Sequence, residues 1–341
     1  MPGILLDTLN GTRSSQVPLW LMRQAGRYLP EYRALREQKG GFLAMAYDSE
    51  AAAEITLQPI DRFGFDGAIL FSDILIVPHA LGQDLEFLAG EGPKLSPRLV
   101  DASLDALERD PSRYEPIYET VRLCRQRLPE GVTMLGFAGS PWTVATYMVA
   151  GEGSRDQHEA RALAYRDPGA LQAIIDAIVE QTITYLSGQI QAGAEAVQLF
   201  DSWAGSLAPD EFERWVIAPN ARIVAALAQL HPDTPVIGFP KGSGEKLPAY
   251  ARETGVKAVG VDETLDPAWV ARELPDGMAV QGNLDPLLLL AGSDELERRV
   301  ATILDAFADR PHVFNLGHGI DRRTPIAHVE RLIAAVRDRQ G

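Results

Sequence analysis

Residues 171–202 read LQAIIDAIVEQTITYLSGQIQAGAEAVQLFDS, and they hold one beat of a rhythm that runs through the whole chain. From Leu171 onward the apolar residues fall three and four apart, the spacing that gathers them on one face of a helix. AVQLF (196–200) then breaks the period. It is short and apolar, and it mixes a β-branched with an aromatic residue, as strands buried on both faces do. Asp201 and Ser202 follow at once, polar residues at the end of an apolar strand.

Seven further runs have the same character: PLWLM (18–22), GAILF (67–71), VTMLGF (132–137), PVIGF (235–239), KAVGV (257–261), MAVQG (278–282) and HVFNLG (312–317). Helical patterns separate them, among them FERWVIAPNARIVAALAQL and TPIAHVERLIAAVRDRQ. Strand and helix alternate eight times with no change of composition. The expectation is α/β: a single (β/α)8 barrel of the TIM type over residues 1–341, with its working end at the C-terminal ends of the strands. A doubly wound open sheet is the alternative that counting alone leaves standing. One stretch breaks the rhythm. DILIVPHALGQDLEFLAGEGPKL (73–95), punctuated by Gly and Pro, reads as a hairpin-like insertion after the second strand.

The totals narrow the function. With 341 residues and 46% hydrophobic content the chain can build a large core without staples. Cys124 is the only cysteine, so neither an internal disulfide nor a thiolate metal cluster is expected, and a reducing cytoplasm suits it. The N-terminal residues lack the pattern of a secretory signal, and no apolar run is long enough for a membrane span. A net charge of −15 speaks against nucleic acid and against anionic membrane surfaces. Any anion site must then be a local concentration of cations.

The strand ends supply one. Arg23 and Arg27 follow the first run, with Gly26 between them and Pro30 suited to the first turn of the next helix. They read either as a solvated helix face or as a loop whose planar forks grip carboxylates, with the backbone of Gln24 and Ala25 adding an anion nest. Asp73 reads as a turn cap or as a group at the barrel mouth. Ser140 and Pro141 open a helix that carries Tyr147, by itself as fit for the core as for a site. Ser202, Lys241, Asp262 and Asn283 end later strands, and His318 lies between two glycines in NLGHGI. PKGSGEK (240–246) lacks phosphate-loop spacing and reads as a mobile loop.

At these residues the chain resembles a known family. PLWLMRQAGRYLPEYR (18–33) and GFAGSPWTVATYMVAG (136–151) are similar to the two signatures of the uroporphyrinogen decarboxylases. ILFSDIL, QLFDSWAG and FNLGHGI resemble further stretches of that family, in the same order, and the match spans about residues 18–320. The resemblance implies a distorted barrel working as a homodimer without cofactor or metal. It implies removal of four acetate carboxyl groups from uroporphyrinogen III, an anionic tetrapyrrole, to give coproporphyrinogen III for haem and chlorophyll synthesis. It implies that Arg23, Arg27 and Arg36 bind the acidic arms and that Asp73 accepts the pyrrole N–H groups. Gln24, Ala25, Phe137, Tyr147, Ser202 and His318 complete the implied binding set, with Met22 as apolar wall. Asp73, Arg23 and Tyr147 are the implied catalytic residues.

The chemistry agrees with the residues. A departing carboxyl group needs an electron sink, and no cofactor motif stands out beyond weak glycine turns. A pyrrole protonated at a ring carbon is its own sink, and an ionised Asp73 would stabilise that cation. Two rivals remain at this point. A cobalamin-linked or thiol methyltransferase on the same fold would bind zinc through a His-x-Cys motif and a later Cys, and Cys124 stands alone with no His two residues before it. A tetrapyrrole carrier without turnover would keep the same strand-end residues.

Overall fold

The computed structural model describes residues 3–88 and 92–339. Among these, nine strands follow in chain order: β1 (Gly67–Ile69), β2 (Asp84–Leu88), β3 (Gly92–Ser96), β4 (Thr133–Gly139), β5 (Ala196–Asp201), β6 (Val236–Pro240), β7 (Ala258–Gly260), β8 (Ala279–Gln281) and β9 (His312–Val313). Seven of them form one curled parallel sheet in the order β1-β4-β5-β6-β7-β8-β9. The strands of this sheet are fully buried, save for Phe200 in β5, which is half-buried. Burial on both faces is why they are mostly apolar instead of alternating.

Helices follow the strands and cover the outside. The helix expected from Leu171 onward is Pro168–Ala192. It opens one turn earlier, where Pro168 occupies the first helical position and the Asp167 carboxylate accepts the Ala170 N–H at 3.0 Å. Its Gln189 exchanges two hydrogen bonds with the backbone of Phe137, at 2.9 and 3.0 Å, and so ties the helix to β4. No helix among the described residues is long and apolar enough to cross a membrane.

Seven of the eight expected strands are present, and residues 18–22 are the exception. Leu19 makes only an isolated parallel bridge to Phe314. The segment nevertheless bonds to both edges of the sheet. Phe314 N–H donates to the Pro18 carbonyl at 2.8 Å, and Asp66 N–H donates to the Leu19 carbonyl at 2.9 Å. No ladder forms because side chains take its donors. The N–H groups of Leu19, Leu21 and Met22 go to Asp66 Oδ2, Gln24 Oε1 and Asn315 Oδ1, at 2.7, 3.0 and 2.9 Å. A donor spent on a side chain is unavailable to a neighbouring strand.

The inside of the curl holds a polar chain that apolar strand runs do not announce. Trp20 Nε1 donates to Gln281 Oε1 at 3.0 Å, and Gln281 Nε2 donates to Gln198 Oε1 at 3.0 Å. Gln198 Nε2 ends the chain against Met22 Sδ at 3.9 Å. All four residues are buried, so each amide needs the other.

The insertion is part helix and part hairpin. Ile76–Ala80 is a short helix, and the antiparallel pair β2–β3 runs from Asp84 opposite Ser96 to Leu88 opposite Gly92. Residues 89–91, between the two strands, lie outside the described residues. Phe42 packs between the hairpin and the segment after β1, its ring tilted against Phe87 at 4.7 Å and against Phe71 at 5.1 Å between centroids.

Candidate functional site

The loop after residue 22 is built to aim its arginines. Arg23 sits at φ +60°, a left-handed conformation few non-glycine residues adopt. The neighbouring turn is held from inside. Gln24, fully buried, donates through Nε2 to the Gly67 carbonyl at 2.9 Å, and Tyr28 Oη donates to the Gln24 carbonyl at 2.7 Å. Arg33 reaches back from the helix Pro30–Lys39 to the carbonyls of Arg27 and Tyr28, at 2.8 and 3.2 Å. This corrects the expectation for Gln24. Its N–H is spent on the Leu21 carbonyl at 3.0 Å and its amide on the frame, so it supports the loop and does not face a ligand. Ala25, Arg27 and Arg36 do line the cavity described below. Arg36 lies beside the Tyr32 phenol, which burial raises above its ordinary range against the pull of Arg36 and Arg27.

Asp73 combines the two roles that the sequence left open. Its Oδ1 accepts the Leu75 N–H at 2.8 Å, a local turn ahead of the helix at Ile76. Its other oxygen has no hydrogen-bond partner among the described residues, and the residue lines the cavity. Burial lifts the carboxyl to about 6, against the Leu75 N–H and the Arg23 charge, both of which pull it down. Tyr147, on the helix Pro141–Ala150, lies within electrostatic reach of Asp73 and Arg23. Burial first and Asp73 second raise its phenol, so it stays protonated. His318 is pushed down to about 3 by burial, then by Arg23 and Lys241, and is a neutral imidazole at pH 7.

These side chains meet around one cavity of about 1350 Å³. Arg23, Ala25, Arg27, Arg36, Asp73, Phe137, Tyr147, Ser202 and His318 all border it; of the expected set only Gln24 does not. Phe137, Phe200 and Phe239, from neighbouring strands, pack edge to face at 5.5 and 6.0 Å, and His318 continues the row at 6.4 Å from Phe239. An aromatic floor thus lies beneath a charged rim.

The rim concentrates positive charge within an acidic chain. Arg23, Arg27, Arg36, Lys241 and Arg322 line the cavity, and none of them forms an ion pair among the described residues. Nearby cations are consumed. Arg323 forks onto Asp321 with both bonds at 2.9 Å and pulls that carboxyl down to about 2. Arg62 grips Glu31 at 2.7 and 2.9 Å. Carboxylates pair with cations elsewhere, while the five cavity cations keep no such pair among the described residues, although Asp73, Glu263, Asp285 and Asp321 share the lining.

Several lining residues went unnoticed in the sequence. Phe200 and Phe239 obey the same strand-end rule as Asp201 and Lys241, but an apolar residue there looks like core. Phe87 and Pro93 come from the hairpin, and Ile320 and Arg322 from the loop after β9. The loop at 240–246 is tied to its neighbours by backbone hydrogen bonds. Lys241 N–H donates to the Asp201 carbonyl and Gly205 N–H to the Lys241 carbonyl, both at 3.0 Å, while Gly242 N–H donates to Asp262 Oδ2 at 2.7 Å. One glycine of NLGHGI has a definite cause. A Cβ at Gly319 would lie 2.3 Å from Cδ of Arg23, so the arginine stem runs through the space that the glycine leaves. Cys124 is buried on its helix, and among the described residues no group of His, Cys, Asp and Glu is placed to hold a metal.

Comparison with known proteins agrees with this geometry. Residues 3–339 match the model of the family described as uroporphyrinogen decarboxylase. Proteins named uroporphyrinogen decarboxylase from Erythrobacter litoralis and Novosphingobium aromaticivorans are 73% and 72% identical to the chain. The alignments cover 100% of both sequences in the first case and 99% of both in the second. The namesake from Paracoccus denitrificans is 50% identical over 98% of each. Among solved structures, a methyltransferase from Methanosarcina mazei superposes with a TM-score of 0.84 at 18% identity, covering 99% of this chain and 98% of its own, a likeness of fold alone. By the family model and by these relatives, the chain belongs to the uroporphyrinogen decarboxylase family.

Proposed function

We propose that the cavity seats one uroporphyrinogen III molecule with its pyrrole N–H groups on Asp73 and its carboxylates on the unpaired cations. There it loses its four acetate carboxyl groups, without a bound cofactor, to give coproporphyrinogen III. Family membership makes the chain a carboxy-lyase of tetrapyrrole biosynthesis. The observation that carries the reading is the half-buried Asp73 carboxylate in a cavity lined by five cations that form no ion pair among the described residues. A ligand with acidic arms around a core of N–H donors is the complement of that arrangement.

Each round consumes one proton. A proton added to a ring carbon makes the pyrrole cationic. The bond to the carboxyl carbon then breaks, its electron pair neutralises the ring as an exocyclic methylene, and CO2 leaves. A proton on the methylene gives the methyl group, and the ring carbon gives its proton back. Asp73, fixed before the substrate arrives, stabilises the ring cation without reorganising. Arg23 holds the reacting carboxylate, and Tyr147, kept protonated, is positioned to donate a hydrogen bond to it. Arg27 and Arg36 hold arms that are not reacting. In this reading residues 18–22 fill the eighth place around the curled sheet without forming a ladder, residues 1–341 form one barrel domain with the hairpin as an insertion, and the enzyme is a cytoplasmic homodimer. Sedimentation equilibrium that returned a monomer mass at working concentration would remove the dimer.

Anaerobic incubation with uroporphyrinogen III tests the activity. Oxidation and chromatography of the products should show seven-, six-, five- and four-carboxyl species; an unchanged eight-carboxyl peak ends the proposal.

Asp73 also sets a pH dependence. Its carboxyl is raised, so the active carboxylate is present above about pH 6 and is lost below it. We therefore expect kcat/KM to fall as pH drops through about 6. In kcat the limb should move to lower pH, because bound pyrrole N–H donors favour the ionised form. An acid limb that is the same in Asp73→Glu, or absent from kcat/KM, would assign it to another group.

Arg27→Ala should raise KM about tenfold with little change in kcat, the cost of one charge-assisted fork lost from binding. Arg27→Lys should recover only part of it, because an ammonium does not reproduce the planar fork. Unchanged kinetic constants would place the arms elsewhere.

A further inference from the structure

The cavity has a branch. A second, smaller pocket of about 340 Å³ opens beside it, and Ser202 and Lys241 line both. Its other walls include Arg155, Trp203 and Asp262. The backbone around it is closely packed. A Cβ on Gly205 would sit 2.4 Å from the Gly242 carbonyl oxygen, so the two loops touch through bare backbone. Gly242 adopts φ +72°, which suits glycine.

Most polar groups of the branch are already occupied. The Asp262 carboxylate accepts the N–H of Gly242 at 2.7 Å, the N–H of Thr264 at 3.0 Å, and the Thr264 hydroxyl. Gly205 N–H is bound to the Lys241 carbonyl, and Ser206 Oγ to the Trp203 carbonyl at 2.8 Å. What remains includes the Ser202 hydroxyl, the buried indole N–H of Trp203 and two cations, Lys241 and Arg155, neither of which is ion-paired among the described residues. Donors outnumber free acceptors, so the branch suits an anion even with Asp262 in its wall.

The geometry points to this branch as the anchor for a propionate arm of the tetrapyrrole, held by Lys241 with Arg155 at the outer end. The inference rests on the reading of the main cavity given above. Two physical reasons choose propionate over acetate. The reacting acetate must stay beside Asp73 and Arg23, whereas Lys241 follows β6, three places along the sheet from β1 and Asp73. A propionate is one methylene longer and can leave the central chamber while its ring stays over Asp73. The second reason is persistence. Four acetates become methyl groups in turn, so an acetate anchor weakens as the reaction proceeds, while propionates survive in the substrate, in every intermediate and in the product.

That persistence supplies the test. Coproporphyrinogen III keeps its propionates and has no acetates, so its binding reports propionate contacts alone. Lys241→Gln should raise the Kd for coproporphyrinogen III, measured anaerobically at equilibrium, about tenfold. It should raise the KM for uroporphyrinogen III by a similar factor and leave kcat within about twofold. Lys241→Arg should restore both constants, and Arg155→Gln should shift them in the same direction by less, because Arg155 is exposed. Two results would overturn the assignment: a KM that rises while the Kd for coproporphyrinogen stays at the parental value, which would make Lys241 an acetate contact, or no change in either. The Kd needs no turnover. The parental rate in the same buffer separately tests whether the chain decarboxylates at all.

Discussion

Asp73→Asn is expected to fold as the parent does and to decarboxylate uroporphyrinogen III on the order of 10²–10³ times more slowly. The two halves of this expectation come from the two oxygens of one carboxylate. Oδ1 accepts the Leu75 N–H at 2.8 Å, and an asparagine oxygen can do the same, so the turn ahead of the helix Ile76–Ala80 survives. The remaining oxygen faces the cavity, where asparagine would present an NH2 to pyrrole N–H donors and no charge to a ring cation. Asp73→Glu keeps the charge but displaces it by about one methylene, and it should cost less than Asn. Thermal unfolding with kcat for each variant checks both halves. A folded Asp73→Asn chain that works at close to the parental rate would leave Asp73 as a turn cap only, and the proposed mechanism would lose its centre.

Gly319→Ala is expected to lower kcat/KM by on the order of 10², the scale on which a displacement of about one ångström in a reacting group is felt. The added methyl group would meet Cδ, Cγ and Nε of Arg23 at 2.3, 2.7 and 2.9 Å. The backbone of residue 319 needs no special φ, so the effect belongs to the contact. The side chain has to yield, and Arg23 starts from a left-handed backbone at φ +60° that restricts where it can go. A double-mutant cycle decides the cause. If Gly319→Ala acts by displacing Arg23, it should add little to Arg23→Ala, because the group it disturbs is gone. Losses that simply multiply would refute this route and send the effect through another neighbour, such as His318.

The two variants mark different depths of inference. Asp73 was legible as a polar residue directly after a buried apolar run. Its duality was not, because capping depends on a backbone turn, and exposure to a cavity depends on what stands opposite. Gly319 was legible only as one of two glycines beside a histidine. Its function is to be empty, and only the position of Arg23, almost three hundred residues earlier, gives that emptiness a purpose.

The misreadings share one cause. Residues 18–22 have the composition of a strand but form a single bridge, since Asp66, Gln24 and Asn315 take the donors a ladder would use. Gln24 stands beside two cavity arginines in sequence, yet its side chain turns into the frame. In each case a long-range hydrogen bond overrides a local preference. The charges of Arg23, Arg27 and Arg36 were visible; their lack of carboxylate partners was not.

By itself, the amino-acid sequence determined the alternation of buried strands and amphipathic helices, the polar residues at the strand ends and the family, because period and motif are properties of neighbours along the chain. Only the tertiary structure decided which of those residues share a cavity, which cations stay unneutralised and how far Asp73 is lifted toward pH 6. Burial and pairing depend on groups that meet only when distant segments close around one another, and no local pattern encodes them.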